Sequence, residues 1–324
     1  DENFDVIFTS IPYSLDFALD DFGLLTLSEN KVRQFGSCAK KVSWEHSGLF
    51  HHYFNPSTSY TAFLGTPLES KRVQTELELD KGRVFSDANT NIIVVDRGNG
   101  KIVASFDFHD IAQANIGKFD PLVIQKTGAN RREIKPSVFV NTKDEWHPNS
   151  LAMYPNNFRS GIFSETDILV SAKGFNLLFV VNFLSLEIKW YSQGKLQGQH
   201  DANWLSEKSI SAFNNRNQYN PVSNYSSIMV FNFEDYLWEE IWTGESTSAV
   251  TDHSGGHSIL SNAVVATITK QGRHIIYDLE KDKEISEFYL YKDDQLQNVQ
   301  EAKIVESKYF DMLKDCSNWT MVSH

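Results

Sequence analysis

Hydrophobic and polar residues alternate with a period of two along much of this chain. The runs are short and bounded by glycine, asparagine, aspartate and serine, the pattern of half-buried β-strands joined by turns. Near the amino terminus Asp5-Val6-Ile7-Phe8-Thr9 and Gly23-Leu24-Leu25-Thr26-Leu27-Ser28 read as strands, with Glu29-Asn30-Lys31 as the turn into Val32-Arg33-Gln34-Phe35. Nothing in residues 1 to 37 sustains the helical period of 3.6. Further on, Asn91-Ile92-Ile93-Val94-Val95, the Gly98-Asn99-Gly100 turn and Ile102-Val103 predict a hairpin ending in Phe106-Asp107-Phe108.

The alternation is organised into repeats. Phe50-His51-His52, Trp146-His147-Pro148-Asn149-Ser150-Leu151, Gln199-His200-Asp201-Ala202 and Gly255-Gly256-His257-Ser258-Ile259 each set a histidine at the leading edge of a unit. Behind His147 come strands beginning at Asp167, Leu177 and Leu186; behind His200, at Ile210, Ser227 and Trp238; behind His257, at Ala263, His274 and Ile285. Four strands per unit is the blade plan of a β-propeller. The 53 and 57 residues that separate His147, His200 and His257 slightly exceed the usual repeat of about forty to fifty.

The expected fold is therefore all-β, a single β-propeller domain over residues 1–324. Four four-stranded blades are read directly, and a fifth or sixth is inferred. Ala302 to Tyr309 predicts a further strand, and the ring closes by combining strands from the amino and carboxyl termini, which removes exposed edges. Residues 109–145 are polar, contain Pro121 and Pro136 and lack periodicity, so a long excursion between blades is expected there.

Composition narrows the partners. With 324 residues, 41% hydrophobic and 13% aromatic, the chain can bury a large core. Its net charge of −12 sets a polyanion at net repulsion, and Lys40-Lys41 and Arg131-Arg132 are isolated pairs, so no nucleic-acid partner is expected. The longest apolar stretch, Phe175 to Leu186, is broken by Asn176 and Asn182, so no membrane insertion is expected. Cys38 and Cys316 lie near opposite ends, compatible with one staple across the closure or with two free thiols. Asn224-Tyr225-Ser226 and Asn318-Trp319-Thr320 match the glycosylation sequon, a pattern short enough to arise by chance. Oligomeric state has no signal in the sequence.

In a propeller the first strand of each blade lines the central channel. His51 or His52, His147, His200 and His257 would then share one funnel, with Asn149 and Lys173 close by. Three chemistries use such a cluster. A metal site is served by spacings such as His-x-His or His-Glu-x-x-His; neither occurs, although His147, His200 and Asp201 would offer ligands. Serine hydrolysis is served by Gly-x-Ser-x-Gly, also missing. The third is group transfer through the imidazole itself, which is nucleophilic when neutral and has a reference pKa of about 6.5. Neighbouring histidines and a lysine would stabilise the anionic group in transit.

Taken in order, Phe50-His51-His52, Phe108-His109-Asp110, Trp146-His147-Pro148-Asn149-Ser150, the segment Asp167 to Lys173, Ile188-Lys189-Trp190, Gln199-His200-Asp201-Ala202 and Phe213-Asn214-Asn215 resemble the aryl sulfotransferase family that uses no nucleotide sulfate donor. The likeness runs from about residue 50 to 215, with weaker agreement to about 290. It implies a six-bladed propeller and a two-step transfer of a sulfuryl group from a phenolic sulfate ester to a phenol. By that likeness His200 is the nucleophile, transiently sulfated, and His51, His52, His147 and Asn149 bind sulfate oxygens. Lys173 joins them from the position of a family arginine, and Asp201, Asn215 and His257 are supporting candidates. The implied partners are a small-molecule aryl sulfate and a phenol, with no metal or cofactor. The family setting is periplasmic or secreted.

The chain departs from the family pattern at Lys173, since lysine lacks the planar two-pronged grip of arginine on an oxyanion. It also has His51-His52-Tyr53 for His-His-Asp and Phe213-Asn214-Asn215 for Phe-Asp-Asn, which removes two carboxylates. These departures keep a second expectation open, a non-catalytic propeller that binds an anionic or glycan ligand. A metal-dependent lyase or hydrolase propeller is the third.

Overall fold

The computed structural model describes residues 4–7, 14–28, 30–36, 41–67, 91–115, 146–159, 161–215, 225–245, 249, 255–289, 291–292, 295–296 and 303–306. Cys38, Cys316, both sequon asparagines, the Arg131-Arg132 pair and residues 116–145 lie outside them.

A short β1, Phe4–Ile7, is followed by β2 (Ser14–Asp20), β3 (Gly23–Ser28), β4 (Lys31–Phe35) and β5 (Val42–His51). Consecutive antiparallel pairing makes β2 to β5 the first four-stranded unit. β5 serves twice: Val42 to Ser47 pair with β4, while Gly48 to His51 pair with β7 (Tyr60–Pro67) of the next unit. That second unit continues through β8 (Asn91–Asp96) and β9 (Ile102–Asp107), the expected hairpin. Between them β6 (Tyr53–Asn55) leaves its own unit and runs parallel to the inner edge of the third.

The third unit comprises β10 (Pro148–Met153), β11 (Asp167–Ala172), β12 (Leu177–Asn182) and β13 (Ile188–Gln193). The fourth has β14 (His200–Ser206), β15 (Ser209–Asn214), β16 (Ser227–Asn232) and β17 (Leu237–Thr243). The fifth has β18 (Gly255–Leu260), β19 (Ala263–Ile268), β20 (Arg273–Asp278) and β21 (Lys283–Tyr289). Two short strands, β22 (Tyr291–Lys292) and β23 (Gln295–Leu296), lead to β24 (Lys303–Glu306). β24 pairs antiparallel with β1, Phe4 opposite Glu306, so both ends of the chain meet in one sheet. This is an all-β propeller plan of repeated four-stranded antiparallel sheets.

Stacking of sheets explains the sequence pattern. Along β12, Leu177, Phe179 and Val181 pack with Leu64, Ile92 and Val94 of the second unit, while Leu178 and Val180 pack with Ile210, Ala212 and Phe231 of the fourth. Both faces of a middle strand are thus core, and β12 reads as one continuous apolar run. The outer strand β21 is bounded by water and keeps polar residues such as Lys283, Glu284 and Glu287. Each fully buried Leu, Ile, Val or Phe contributes about 1.5–3 kcal/mol, so the inter-sheet apolar clusters hold neighbouring sheets together, with a few side-chain hydrogen bonds such as Ala202 N to Ser150 Oγ added between them.

The excursion after β9 opens with a short helix, Phe108–Ala114. Asp107 caps it and Asp110 returns the bond, and its Phe108 and Ile111 enter the same core as Phe179. Seven residues are too few for a 3.6 period to register, which is why the sequence pattern reads there as loop.

Candidate active site

The histidines of the second, third and fourth units sit at the openings of inner strands, where the backbone is unusual. His51 ends β5, His52 has φ of 64°, and His147, just ahead of β10, has φ of 40°. His200 is the first residue of β14 and the following Asp201 has φ of 49°. A non-glycine residue in this left-handed region is held there against a cost of about 1–3 kcal/mol by its surroundings. The register also shifts directly behind His147, between Pro148 and Ser150, and behind His200, between His200 and Asn203. Such bulges bend the strand and re-aim side chains, here at both histidine-bearing openings.

The rings of His51 and His52 lie 4.7 Å apart, with their Nδ1 atoms in close contact. His52 meets His147 edge to face at 5.7 Å. His51, His147, His200 and Lys173 all act electrostatically on His52, after burial, to push its pKa well below the ordinary histidine value. His200 is likewise pushed well below it, first by burial and then by Lys173 and His147. The Gly198 carbonyl and Asp201 oppose the shift without reversing it. His51, His52, His147, Lys173 and His200 therefore form one cluster in which each positive charge raises the cost of the next. Both His52 and His200 are neutral at pH 7.

Around His200 the partners are specific. Its Nδ1 lies 2.9 Å from the carbonyl oxygen of Gly198, which also takes a hydrogen bond from Asn215 Nδ2 at 2.7 Å. A carbonyl only accepts, so this bond forms in the tautomer that carries the proton on Nδ1. Nε2 then holds the lone pair, and among the described residues no hydrogen bond engages it. His200 is only 2% exposed.

Asn149 is fully buried and donates to the Gln199 carbonyl at 2.7 Å, so one of its amide hydrogens serves the backbone ahead of His200. Lys173 opens a 3-10 turn, Lys173–Phe175, whose backbone bonds back to Trp146 and His147. A Cβ placed on Gly198 would stand 3.8 Å from Lys173 Cε, so the lysine stem runs alongside the His200 segment.

Asp201 and His257 behave differently. Asp201 Oδ2 accepts the backbone N–H of His257 at 2.6 Å and lies 3.2 Å from its Nδ1, and His257 Nε2 meets Ser211 Oγ at 2.7 Å. His257 is the third residue of β18, not the leading one, and that register turns it onto Asp201 and Ser211 rather than onto the other histidines. It braces the fourth unit against the fifth. Asp201 also takes an amide hydrogen from Asn203 at 2.9 Å, and Asn203 is met by Asn55 of β6.

Three further asparagines, beyond those the sequence singles out, act near His200. Asn214 Oδ1 accepts from Gln197 N at 2.8 Å and Asn176 Oδ1 from Gly198 N at 2.9 Å, while Ala202 N donates to Ser150 Oγ at 2.9 Å from across the next inner strand. Asn55, joined to Asn203, is the third. The sequence signals only that asparagines recur near the histidines. Among the described residues no group of three or more His, Cys, Asp or Glu is arranged to hold a metal ion. No described helix is long and apolar enough to cross a membrane.

Comparison with known proteins places this geometry in context. The family described as Arylsulfotransferase (ASST) matches residues 29–288. No curated protein matches the chain. Among solved structures, the WD40 repeats of RRP9 are similar over 91% of this chain and 71% of that one, with 7% identity and a TM-score of 0.50. U3-55K is similar over 91% and 72%, with 8% identity and a TM-score of 0.49. At such identity the RRP9 likeness concerns the propeller fold alone.

Proposed function

The chain belongs to the arylsulfotransferase family, and on that premise we propose that it moves a sulfuryl group from a phenolic sulfate ester to a phenol through His200. In the first step Nε2 of neutral His200 attacks sulfur, the bond from sulfur to the aryl oxygen breaks, and the phenolate leaves with the electron pair. In the second, a phenol oxygen attacks the sulfohistidine sulfur and releases its proton to solvent. The nitrogen–sulfur bond breaks and Nε2 recovers its lone pair.

The transition state is loose and its charge gathers on the peripheral oxygens, so donors set around them supply most of the catalysis. His51, His52, His147, Lys173 and the remaining amide hydrogen of Asn149 take that part. Asp201, Asn215 and His257 support the strand that presents His200. The scheme uses no metal or diffusible cofactor.

One observation carries this reading: His200 is buried, held neutral, and has Nδ1 committed to the Gly198 carbonyl, beside the positive charge of Lys173. A buried neutral imidazole with a free lone pair is an activated nucleophile. The test is intact-mass analysis after incubation with a chromogenic aryl sulfate. Wild type is expected to gain about 80 Da, the mass of one SO₃, which His200→Ala does not gain, with phenol released when an acceptor is added. No adduct together with no phenol release would sink the reading.

A second reading rests on Lys173 in the place of the family arginine, which weakens bidentate capture of sulfate. In it the propeller binds an anionic or glycan ligand without turnover. Equal binding of a sulfated ligand by wild type and His200→Ala, with no turnover over hours, selects this alternative.

A further inference from the structure

The backbone just ahead of His200 is gripped by asparagine side chains at four groups spread over three consecutive residues. Gln197 N donates to Asn214 Oδ1 at 2.8 Å and Gly198 N to Asn176 Oδ1 at 2.9 Å. The Gly198 carbonyl accepts from Asn215 Nδ2 at 2.7 Å and the Gln199 carbonyl from Asn149 Nδ2 at 2.7 Å. The four come from three places: Asn149 from β10, Asn176 from the end of the turn that starts at Lys173, and Asn214 and Asn215 from the end of β15. Gly198 has φ of 60°, a conformation in which a glycine peptide can rotate at little cost, so the orientation of its carbonyl is set by these contacts.

We propose that Asn176, Asn214 and Asn215 are positioning residues that fix the Gly198 carbonyl against His200 and thereby select the tautomer with Nδ1 protonated and Nε2 bare. The inference rests on the reading of His200 as nucleophile. Its geometry is a near-equilateral triangle: Gly198 O to His200 Nδ1 2.9 Å, Gly198 O to Asn215 Nδ2 2.7 Å, and Asn215 Nδ2 to His200 Nδ1 2.8 Å. Seen from the Asn215 nitrogen, the carbonyl and the ring nitrogen are roughly 60° apart, half the angle between the two N–H bonds of a planar amide. The amide therefore cannot aim one hydrogen at each. Turning the amide over would press its oxygen on the Gly198 oxygen. The arrangement that fits these three atoms has the amide and Nδ1–H both donating to the carbonyl, which leaves the lone pair on Nε2.

Asn176 extends the device. It caps the turn of Lys173 and itself has φ of 50°, so the residue that shapes the turn carrying the cation also holds the Gly198 N–H, one peptide ahead of the carbonyl that faces His200. The opposite tautomer would present Nε2–H to sulfur, and no lone pair would be available for attack.

The experiment uses the full chain labelled with nitrogen-15 histidine and long-range proton–nitrogen correlation spectra at neutral pH, with His200→Ala identifying the signal. His200 in wild type is expected to show a protonated Nδ1 and an unprotonated Nε2. In Asn215→Ala, and in Asn176→Gly, which keeps the left-handed backbone while removing the acceptor, the signal is expected to move toward a mixture of tautomers. Turnover should then fall about fivefold in kcat with KM unchanged, the effect of one hydrogen bond of ordinary strength. Thermal melting confirms that the variants are folded. An Nε2–H tautomer in wild type, or spectra and kcat unchanged in both variants, overturns the inference. If the tautomer shifts as expected but wild type turns over no aryl sulfate, the positioning role stands and the transferase reading falls.

Discussion

The backbone N–H of Lys173 donates to the carbonyl of His147 at 3.0 Å, which ties the cation of the site to the turn that carries one of its histidines. Gly174 repeats the contact to Trp146 at 3.1 Å, and Asn176 passes the connection to Gly198 at 2.9 Å. Lys173, His147 and His200 are thus linked through main-chain hydrogen bonds and the Asn176 side chain. A displacement at one is felt at the others, and several consequences can be measured.

The first concerns pH. Burial and the positive charge of Lys173 hold His200 well below the ordinary histidine value, so acid removes its lone pair only when pH passes that lowered value. The acid limb of kcat/KM for an aryl sulfate is expected to lie below pH 6.5, the reference value of histidine. A pH–rate profile with its inflection at or above that value contradicts the assignment.

Removing the cation has a signed effect. Lys173 lowers the pKa of both His52 and His200. Lys173→Met is therefore expected to shift the acid limb upward in pH. It should also raise KM about tenfold or more through loss of a hydrogen bond to a charged group. Lys173→Arg should restore the planar fork and lower KM. Steady-state kinetics across pH checks both, and an unshifted acid limb in Lys173→Met would exclude coupling between this charge and His200.

Arg97 predicts a stability effect remote from the site. Its buried guanidinium binds Asp20 through both terminal nitrogens at 2.5 and 3.0 Å, Gln34 at 3.0 Å and the Ser57 carbonyl at 2.9 Å, joining the first unit to the second. Arg97→Met takes the guanidinium donor from the Asp20 carboxylate and from the side-chain oxygen of buried Gln34. A loss of about 3 kcal/mol is expected in urea unfolding. A loss below half of that would mean the first unit is held by its apolar contacts alone.

His274 should make the fold acid-sensitive. It is 4% exposed and burial lowers its pKa from 6.5 to about 4. Between those values the unfolded chain binds the proton and the folded chain does not, so stability falls as pH falls through that window. From pH 7 to pH 5 this one residue accounts for about 2 kcal/mol, and the dependence should weaken by about that much in His274→Gln, with His52 and His200 keeping a loss of the same sign. Urea titrations at the two pH values measure it; equal slopes for variant and wild type would remove His274 as the cause.

Much of this was legible in the residues. Leu177 to Val181 and Ala263 to Ile268 announce middle strands because both of their faces are buried, and the alternating His147, His200 and His257 units mark the repeat. The double use of β5 and the parallel docking of β6 on β10 leave no local trace, since each depends on which edge is free once the sheets are stacked. His257 shows the limit of matched spacing. A shift of two residues along its strand gives it to Asp201 and Ser211 instead of the cluster.

The sequence by itself determined the β character and the four-stranded repeat and singled out the histidines of the candidate site, because a period of two and a recurring histidine are local properties of the chain. Only the tertiary structure decided that asparagines 22, 17 and 50 residues away grip the peptides ahead of His200, and that burial beside Lys173 keeps its ring neutral. Hydrogen-bond partners and desolvation depend on how separate sheets stack around a shared axis, and no periodicity along the chain records that distance.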